Sequence, residues 1–119
     1  MKTKKKFSCI HIYNELFQIN FYVFYGVKEE SFKKDIKRIF DSSKLEKELR
    51  DGYTVVWKKK GNDIVVVWTR IKKVSVLAHE LIHAISYVLI TRGINLNEQT
   101  EEVYAYFMQE LMRRILKKE

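Results

Sequence analysis

The 119-residue chain has little of what marks several common protein classes. It contains no proline and only four glycines, which excludes collagen-like, proline-rich and flexible-linker sequences. Its one cysteine, Cys9, excludes a disulfide scaffold and any cysteine-based zinc finger. No run approaches the ~20 apolar residues that a membrane-spanning helix needs. We therefore expect no membrane partner and, given the single thiol, a reducing cytoplasmic setting.

The composition that remains predicts one folded domain over residues 1–119. Apolar residues make up 46% of the chain, which is enough for a packed core. Lysine and arginine number 23 and acidic residues number 15, for a net charge of +8. Such a charge makes nucleic acid a possible partner, although it is also typical of an ordinary solubilising surface. The basic residues are scattered along the chain, so charge alone does not identify a partner.

Hydrophobic periodicity predicts an α+β fold. Alternating apolar residues predict two N-terminal strands, and β-branched residues on either side of a turn at residues 60–63 predict a hairpin. Apolar residues at helical spacing predict three helices. The predicted strands are 7–13, 17–25, 53–57 and 64–69, and the predicted helices are 28–40, 74–91 and 99–117. This ββαββαα order favours a small, mostly antiparallel sheet with the helices on one face.

Three local signals refine this prediction. Residues 64–68 are apolar without alternation, so we expect that strand to be buried on both faces. Gly93 is expected to end the helix 74–91, because glycine accepts the left-handed conformation that commonly follows a helix. Asn97 is expected to cap the helix 99–117.

The sequence HELIH at residues 79–83 is an HExxH motif within the predicted helix 74–91. Histidines four positions apart lie one turn apart on the same face, so His79 and His83 can hold a zinc ion at about 2.0–2.1 Å each. Glu80 cannot reach the same metal position, but it can reach a water bound to that metal and act as general base. Helical angles place both histidines opposite the apolar face. That apolar face consists of Leu77, Leu81, Ala84 and Val88. The alternative is a pair of solvent-facing histidines without a metal.

A third ligand has to come from another segment. Three acids lie at the start of the predicted helix 99–117: Glu98 precedes it, and Glu101 and Glu102 lie near its N-terminus. Two helices joined by a short loop are antiparallel, so the start of the second lies near the end of the first. A carboxylate there can turn toward a metal, although acids at a helix N-terminus also complement the helix dipole without any metal.

The segment 76–115 resembles a gluzincin metallopeptidase core, in which a glutamate on the second helix completes the zinc site. In the aminopeptidase branch this glutamate lies nineteen positions after the second histidine, which implies Glu102. Residues 102–106 also resemble an E-x-x-A-Y pattern of small phage-encoded zincin-like proteins. A similarity to the ImmA/IrrE-type peptidases implies Glu101 instead, and the apolar stripe of that helix agrees. We adopt Glu102 as the expected ligand because its spacing is tied to the metal itself.

The resemblance implies a minimal zincin core that hydrolyses peptide bonds in a peptide or protein substrate. A zinc ion would be held by His79, His83 and Glu102, and Glu80 would activate the metal-bound water. In zincins a strand like residues 64–68 aligns an extended substrate by main-chain pairing.

The residue that stabilises the oxyanion is not evident from the sequence. Tyr87 and Tyr106 are the candidates. Two other interpretations stay open at this point: a metal-stabilised module without catalytic activity, and a small basic nucleic-acid-associated protein of phage or mobile-element origin.

Overall fold

A mixed sheet of five strands carries three helices in the computed structural model, which describes residues 2–6, 9–39, 49–58 and 62–118. In chain order the elements are β1 (Lys2–Lys6), β2 (Cys9–Asn14), β3 (Ile19–Phe24), α1 (Glu29–Ile39), β4 (Gly52–Trp57), β5 (Asp63–Thr69), α2 (Val74–Ile90) and α3 (Glu101–Lys118). The α+β class is therefore confirmed. The element order differs from the predicted one, because β1 adds a strand before the two N-terminal strands.

The strands are arranged in the order β1-β2-β3-β5-β4. Three of the four neighbouring pairs are antiparallel, and β3 with β5 is parallel. The β4–β5 hairpin is present as predicted, although Lys60 and Gly61 of its turn lie outside the described residues. The more apolar strand of the hairpin, β5, takes the interior position, which leaves β4 at one edge of the sheet.

The helices lie on both faces of the sheet, which corrects the prediction that they share one face. Val65 and Val67 of β5 pack with α2 and α3, and the alternate residues Val66 and Trp68 pack with α1. On the α1 side the ring of Phe32 stacks on Trp68 at 5.4 Å between centroids. Burial of β5 on both faces, as predicted, requires a cover on each side.

α2 buries the apolar face that its sequence predicts and exposes the opposite face. Leu77, Leu81, Ala84 and Val88 are fully buried, whereas both histidines of the motif are exposed. The helix ends at Ile90, and Gly93 follows with φ of 79°. The amide of Ile94 donates to the carbonyl of Leu89 at 2.8 Å, a bond typical of a glycine-terminated helix.

α3 begins two residues later than predicted, and the side chain of Asn97 caps the turn that precedes it. Its Oδ1 accepts hydrogen bonds from the amides of Gln99 at 2.9 Å and Thr100 at 3.1 Å. The hydroxyl of Tyr104 donates to the carbonyl of Ile94 at 2.6 Å and so ties α3 to the end of α2. None of the helices in the described part of the chain is long and apolar enough to cross a membrane.

Candidate functional site

A groove runs between α2 and the edge strand β4, and all three motif residues line it. It consists of two cavities of about 420 and 410 Å³ that share Gly52 and Glu80. His79 lines the first cavity, and His83 lines the second. We call this feature the α2–β4 groove.

The two histidines are placed as a pair of ligands for one ion. Nε2 of His79 lies 3.3 Å from Nε2 of His83, and both side chains are exposed. Two nitrogens bound to a tetrahedral zinc at about 2.0–2.1 Å are about 3.3–3.4 Å apart. A shared proton is a weaker explanation, since hydrogen bonds from ring nitrogens are commonly about 2.9–3.0 Å long. The pair therefore fits two corners of a zinc site.

Glu80 is almost completely buried between the two cavities, with 8% of its surface exposed. The hydroxyl of Thr54 lies 2.6 Å from its Oε1 and donates a hydrogen bond to it. The same hydroxyl lies 3.1 Å from the backbone carbonyl oxygen of Glu80. Buried carboxylates are rare and need such partners. The interaction fixes the carboxylate at the wall that the two cavities share.

Gly52 allows β4 to approach this carboxylate closely. A Cβ at that position would lie 2.7 Å from Oε2 of Glu80 and 2.8 Å from its Cγ. Any other side chain would therefore force α2 or the carboxylate to move.

Arg70 anchors the segment that leads into β4. Its Nη2 donates to the carbonyls of Leu49 at 2.7 Å and Arg50 at 2.8 Å, and to Oε1 of Glu29 at 2.9 Å. Hydrogen bonds from Lys33 and Arg70 hold the pKa of Glu29 below its usual value, so this anchor is charged at neutral pH. The segment that leads into β4, beside the α2–β4 groove, is thus held in place by Arg70 and by Glu29 of α1.

The acids expected as third ligand are not gathered with the histidines. Glu101 and Glu102 are exposed in the first turn of α3. α2 packs over β4 and β5, whereas α3 packs over β1 and β2, so the groove and α3 lie on opposite flanks of α2. Within the described ranges no three His, Cys, Asp or Glu side chains are close enough together to hold a metal ion. Glu102 as a ligand stays a prediction.

Sequence reasoning missed an acid that the fold brings to the groove. Asp51 precedes β4 and lines the same cavity as His79. Its side chain is 77% exposed and lies 4.0 Å from Nε of Arg70, a distance at which an exposed ion pair contributes little. Thr54 and Gly52 were missed as well. A possible signal for these two was their period-two spacing on a strand, which places both on one face.

The two tyrosine candidates are separated by their location. Tyr87 lines the cavity that contains His83, one turn further along α2. Its hydroxyl is buried and has no hydrogen-bond partner among the described residues. Tyr106 lies on α3 with 65% of its surface exposed, away from the residues that line the groove.

The prediction that residues 64–68 align a substrate by main-chain pairing is wrong. The expectation fell on residues 64–68, but β5 lies between β3 and β4, so its main chain is paired on both sides. Among the described strands the outer edges of the sheet belong to β1 and β4, and β4 is the one that borders the groove. A strand can accept an extended peptide only along an unpaired edge.

The interaction between Thr54 and Glu80 gives a stability prediction that needs no assumption about function. Thr54→Val should lower the free energy of unfolding by about 1.5–3 kcal/mol, because it leaves a buried carboxylate without its donor. Thr54→Ser keeps the hydroxyl and is the matched control. Urea unfolding followed by circular dichroism measures both variants. Equal stability of the valine and serine variants would contradict the bond.

Compared with known proteins, the chain matches no family model, no curated protein and no solved structure. The functional assignment therefore rests on the geometry of the α2–β4 groove. That geometry combines a pair of exposed imidazoles, a buried carboxylate held by one hydroxyl, and a free strand edge.

Proposed function

We propose that the protein is a minimal zincin-like zinc metallopeptidase that hydrolyses an extended peptide bound in the α2–β4 groove. The observation that carries the proposal is the 3.3 Å separation of the Nε2 atoms of His79 and His83 beside the buried carboxylate of Glu80. This combination supports a site with two nitrogen ligands and a candidate base at one groove. A pair of surface histidines without function would not require a buried acid between them.

His79 and His83 are the proposed ligands from α2, and Glu102 is the proposed third ligand. Asp51 is the alternative that the fold offers, because it lines the same cavity as His79. When bound, zinc lowers the pKa of a coordinated water towards neutrality and polarises a carbonyl. The remaining chemistry belongs to side chains of this chain.

Glu80 is the proposed general base. It takes a proton from the attacking water and passes it to the leaving amine. The hydroxyl of Thr54 fixes Oε1, and the missing side chain at Gly52 leaves room for Oε2. A base held in this way needs no reorientation before the proton moves. Tyr87 is the proposed donor to the developing oxyanion, since it lines the cavity of His83 and its buried hydroxyl has no hydrogen-bond partner among the described residues.

The substrate is proposed to be a peptide in extended conformation. The outer edge of β4 offers main-chain donors and acceptors along the groove, and an added strand uses them regardless of side-chain identity. A short peptide fits this arrangement better than a folded protein, because the site is an open groove on one flank of a single helix.

The test combines metal content with cleavage. Protein purified without added metal is analysed for zinc, and a peptide library is incubated with it and read by mass spectrometry. We expect about one zinc per chain, as one three-ligand site implies, and cleavage that chelation stops and zinc restores. Zinc without cleavage in any condition would leave a metal-stabilised module as the better description. The lack of zinc would overturn the site.

Gly52→Ala tests whether the proximity of β4 sets the position of the base. The new methyl group would lie 2.7 Å from Oε2 of Glu80, so the carboxylate has to shift. Displacement of a catalytic group by about 1 Å can lower the reaction rate by about 10²-fold, so we expect kcat/KM to fall by about that factor. Zinc content should stay unchanged because His79 and His83 are untouched. Full activity in this variant would show that the position of Glu80 is not set by β4.

A further inference from the structure

The sheet has a second surface that the proposed hydrolase does not use. On the side of β2 that faces α3, Ile10, Ile12 and Asn14 are buried. On the opposite side Cys9 is fully buried, whereas His11 and Tyr13 are only half-buried. We call the second side the open β-face and define it by His11, Tyr13, Asn20 and Tyr22.

The open β-face carries aromatic rings in a fixed arrangement. The ring of His11 stacks on that of Tyr22 with 4.5 Å between centroids and 11° between planes. Nε2 of His11 lies 2.6 Å from Oδ1 of Asn20, whose Nδ2 donates to Oδ1 of Asn62 at 2.8 Å. The stack covers one face of each of these two rings, and Tyr22 also packs against the core on the α1 side of the sheet, so both rings are half-buried. Tyr13 is paired with Asn20 across the two strands and so extends the same face.

The neighbouring edge strand adds cationic positions in register with these rings. Lys2, Lys4 and Lys6 of β1 are paired with Tyr13, His11 and Cys9 respectively. Residues paired directly across antiparallel strands occupy the same face of a sheet. Two of the three lysine positions are therefore paired with aromatic residues, in a chain whose net charge is +8.

We propose that the open β-face binds single-stranded nucleic acid, with bases stacked on its rings and the backbone along β1. Sheet surfaces with exposed aromatic residues and flanking cations suit single strands, because every base has a face that can stack. A duplex hides its base faces and is the weaker ligand. An anionic membrane is the weaker partner as well, since the open β-face presents polar amides and rings and no exposed aliphatic side chains. This surface is separate from the α2–β4 groove, so binding does not depend on hydrolysis.

The experiment uses the full chain and fluorescein-labelled oligonucleotides of about twelve residues, read by fluorescence anisotropy. A single-stranded oligo(dT), an oligo(U) and a duplex of the same length are compared at two salt concentrations. Tyr13→Thr and His11→Thr remove rings and keep residues that suit a strand. We expect each to weaken single-strand binding by about fivefold or more. Tyr106→Ala, which removes an exposed ring from α3, is the matched control and should bind like the wild type.

A charge variant tests the role of β1. Lys2→Gln, Lys4→Gln and Lys6→Gln together should lower the slope of log Kd against log salt by about 2, as expected for three lost phosphate contacts on a single strand. Lys73→Gln, Lys117→Gln and Lys118→Gln remove the same charge elsewhere from exposed positions. Thermal melting of every variant verifies the fold.

The proposal would be overturned by duplex binding as tight as single-strand binding, by equal losses from the two charge sets, or by a loss on Tyr106→Ala equal to that on Tyr13→Thr. Preferential binding to anionic lipid vesicles over the oligonucleotides would overturn it in favour of a membrane surface. Retention of binding in Glu80→Gln, which removes the proposed base, would show that the two proposals stand or fall separately.

Discussion

Glu80→Gln should lower peptide hydrolysis by about 10²–10⁴-fold and leave zinc binding intact. Glutamine has the shape of glutamate and cannot take up a proton from water. Its Oε1 can still accept the hydrogen bond that the hydroxyl of Thr54 donates to the glutamate at 2.6 Å. The variant therefore removes the proposed base while it preserves the buried contact. Initial rates with a cleaved peptide and zinc content of the same preparation measure the two effects.

Glu80→Ala is the control that separates chemistry from packing. It removes the same base and also leaves the space beside Gly52 and Thr54 unfilled, so it should lose stability as well as activity. Glutamine should keep the stability of the wild type to within about 1 kcal/mol. Loss of zinc from Glu80→Gln would mean that Glu80 is a ligand and the role assigned to it is wrong. Undiminished hydrolysis would remove it from the mechanism altogether.

Local sequence signals predicted the elements that carry the motif. The apolar residues of α2 recur at helical spacing, which fixed both its buried face and the exposure of His79 and His83. Gly93 marks its end, and Asn97 caps the turn that precedes the next helix, because capping depends on residues within one turn. β5 was predicted to be buried on both faces, since an apolar run without alternation has no side suited to water.

Long-range arrangement was predicted less well. Periodicity does not tell which strands pair, so the parallel contact of β3 with β5 and the edge position of β4 were not evident. Burial of β5 on both faces already implied a cover on each side, but the position of α1 depends on tertiary packing such as that of Phe32 on Trp68. The partners of Glu80 could not be found because Gly52 and Thr54 are 28 and 26 positions away in sequence. Only the fold places them beside the motif.

The loss of zinc affinity in a variant is expected to show whether the substituted residue is a ligand. His83→Ala should weaken zinc binding by more than about 10²-fold, because even residues that only orient a ligand commonly cost 10–100-fold. A bound metal that joins α2 to another segment should also raise the melting temperature, by on the order of 10 °C at a zinc concentration of 100 times Kd. A metal held by His79 and His83 alone connects positions within one helix, so it should raise the melting temperature much less. Zinc bound at full affinity by His83→Ala would rule out the site.

The third ligand is the sharpest remaining question, and three variants answer it. Glu102→Ala should weaken zinc binding far more than Glu101→Ala, because a lost ligand removes a bond and a charge, whereas a neighbouring acid contributes only screened attraction. Both acids lie in the first turn of α3, so removal of either should have the same small effect on stability through the helix dipole. Asp51→Ala tests the acid that shares a cavity with His79. Competition titration with a chromogenic chelator measures all three affinities. The largest loss in Asp51→Ala would place the whole site in the α2–β4 groove, and equal small losses would mean that none of the three carboxylates binds the metal.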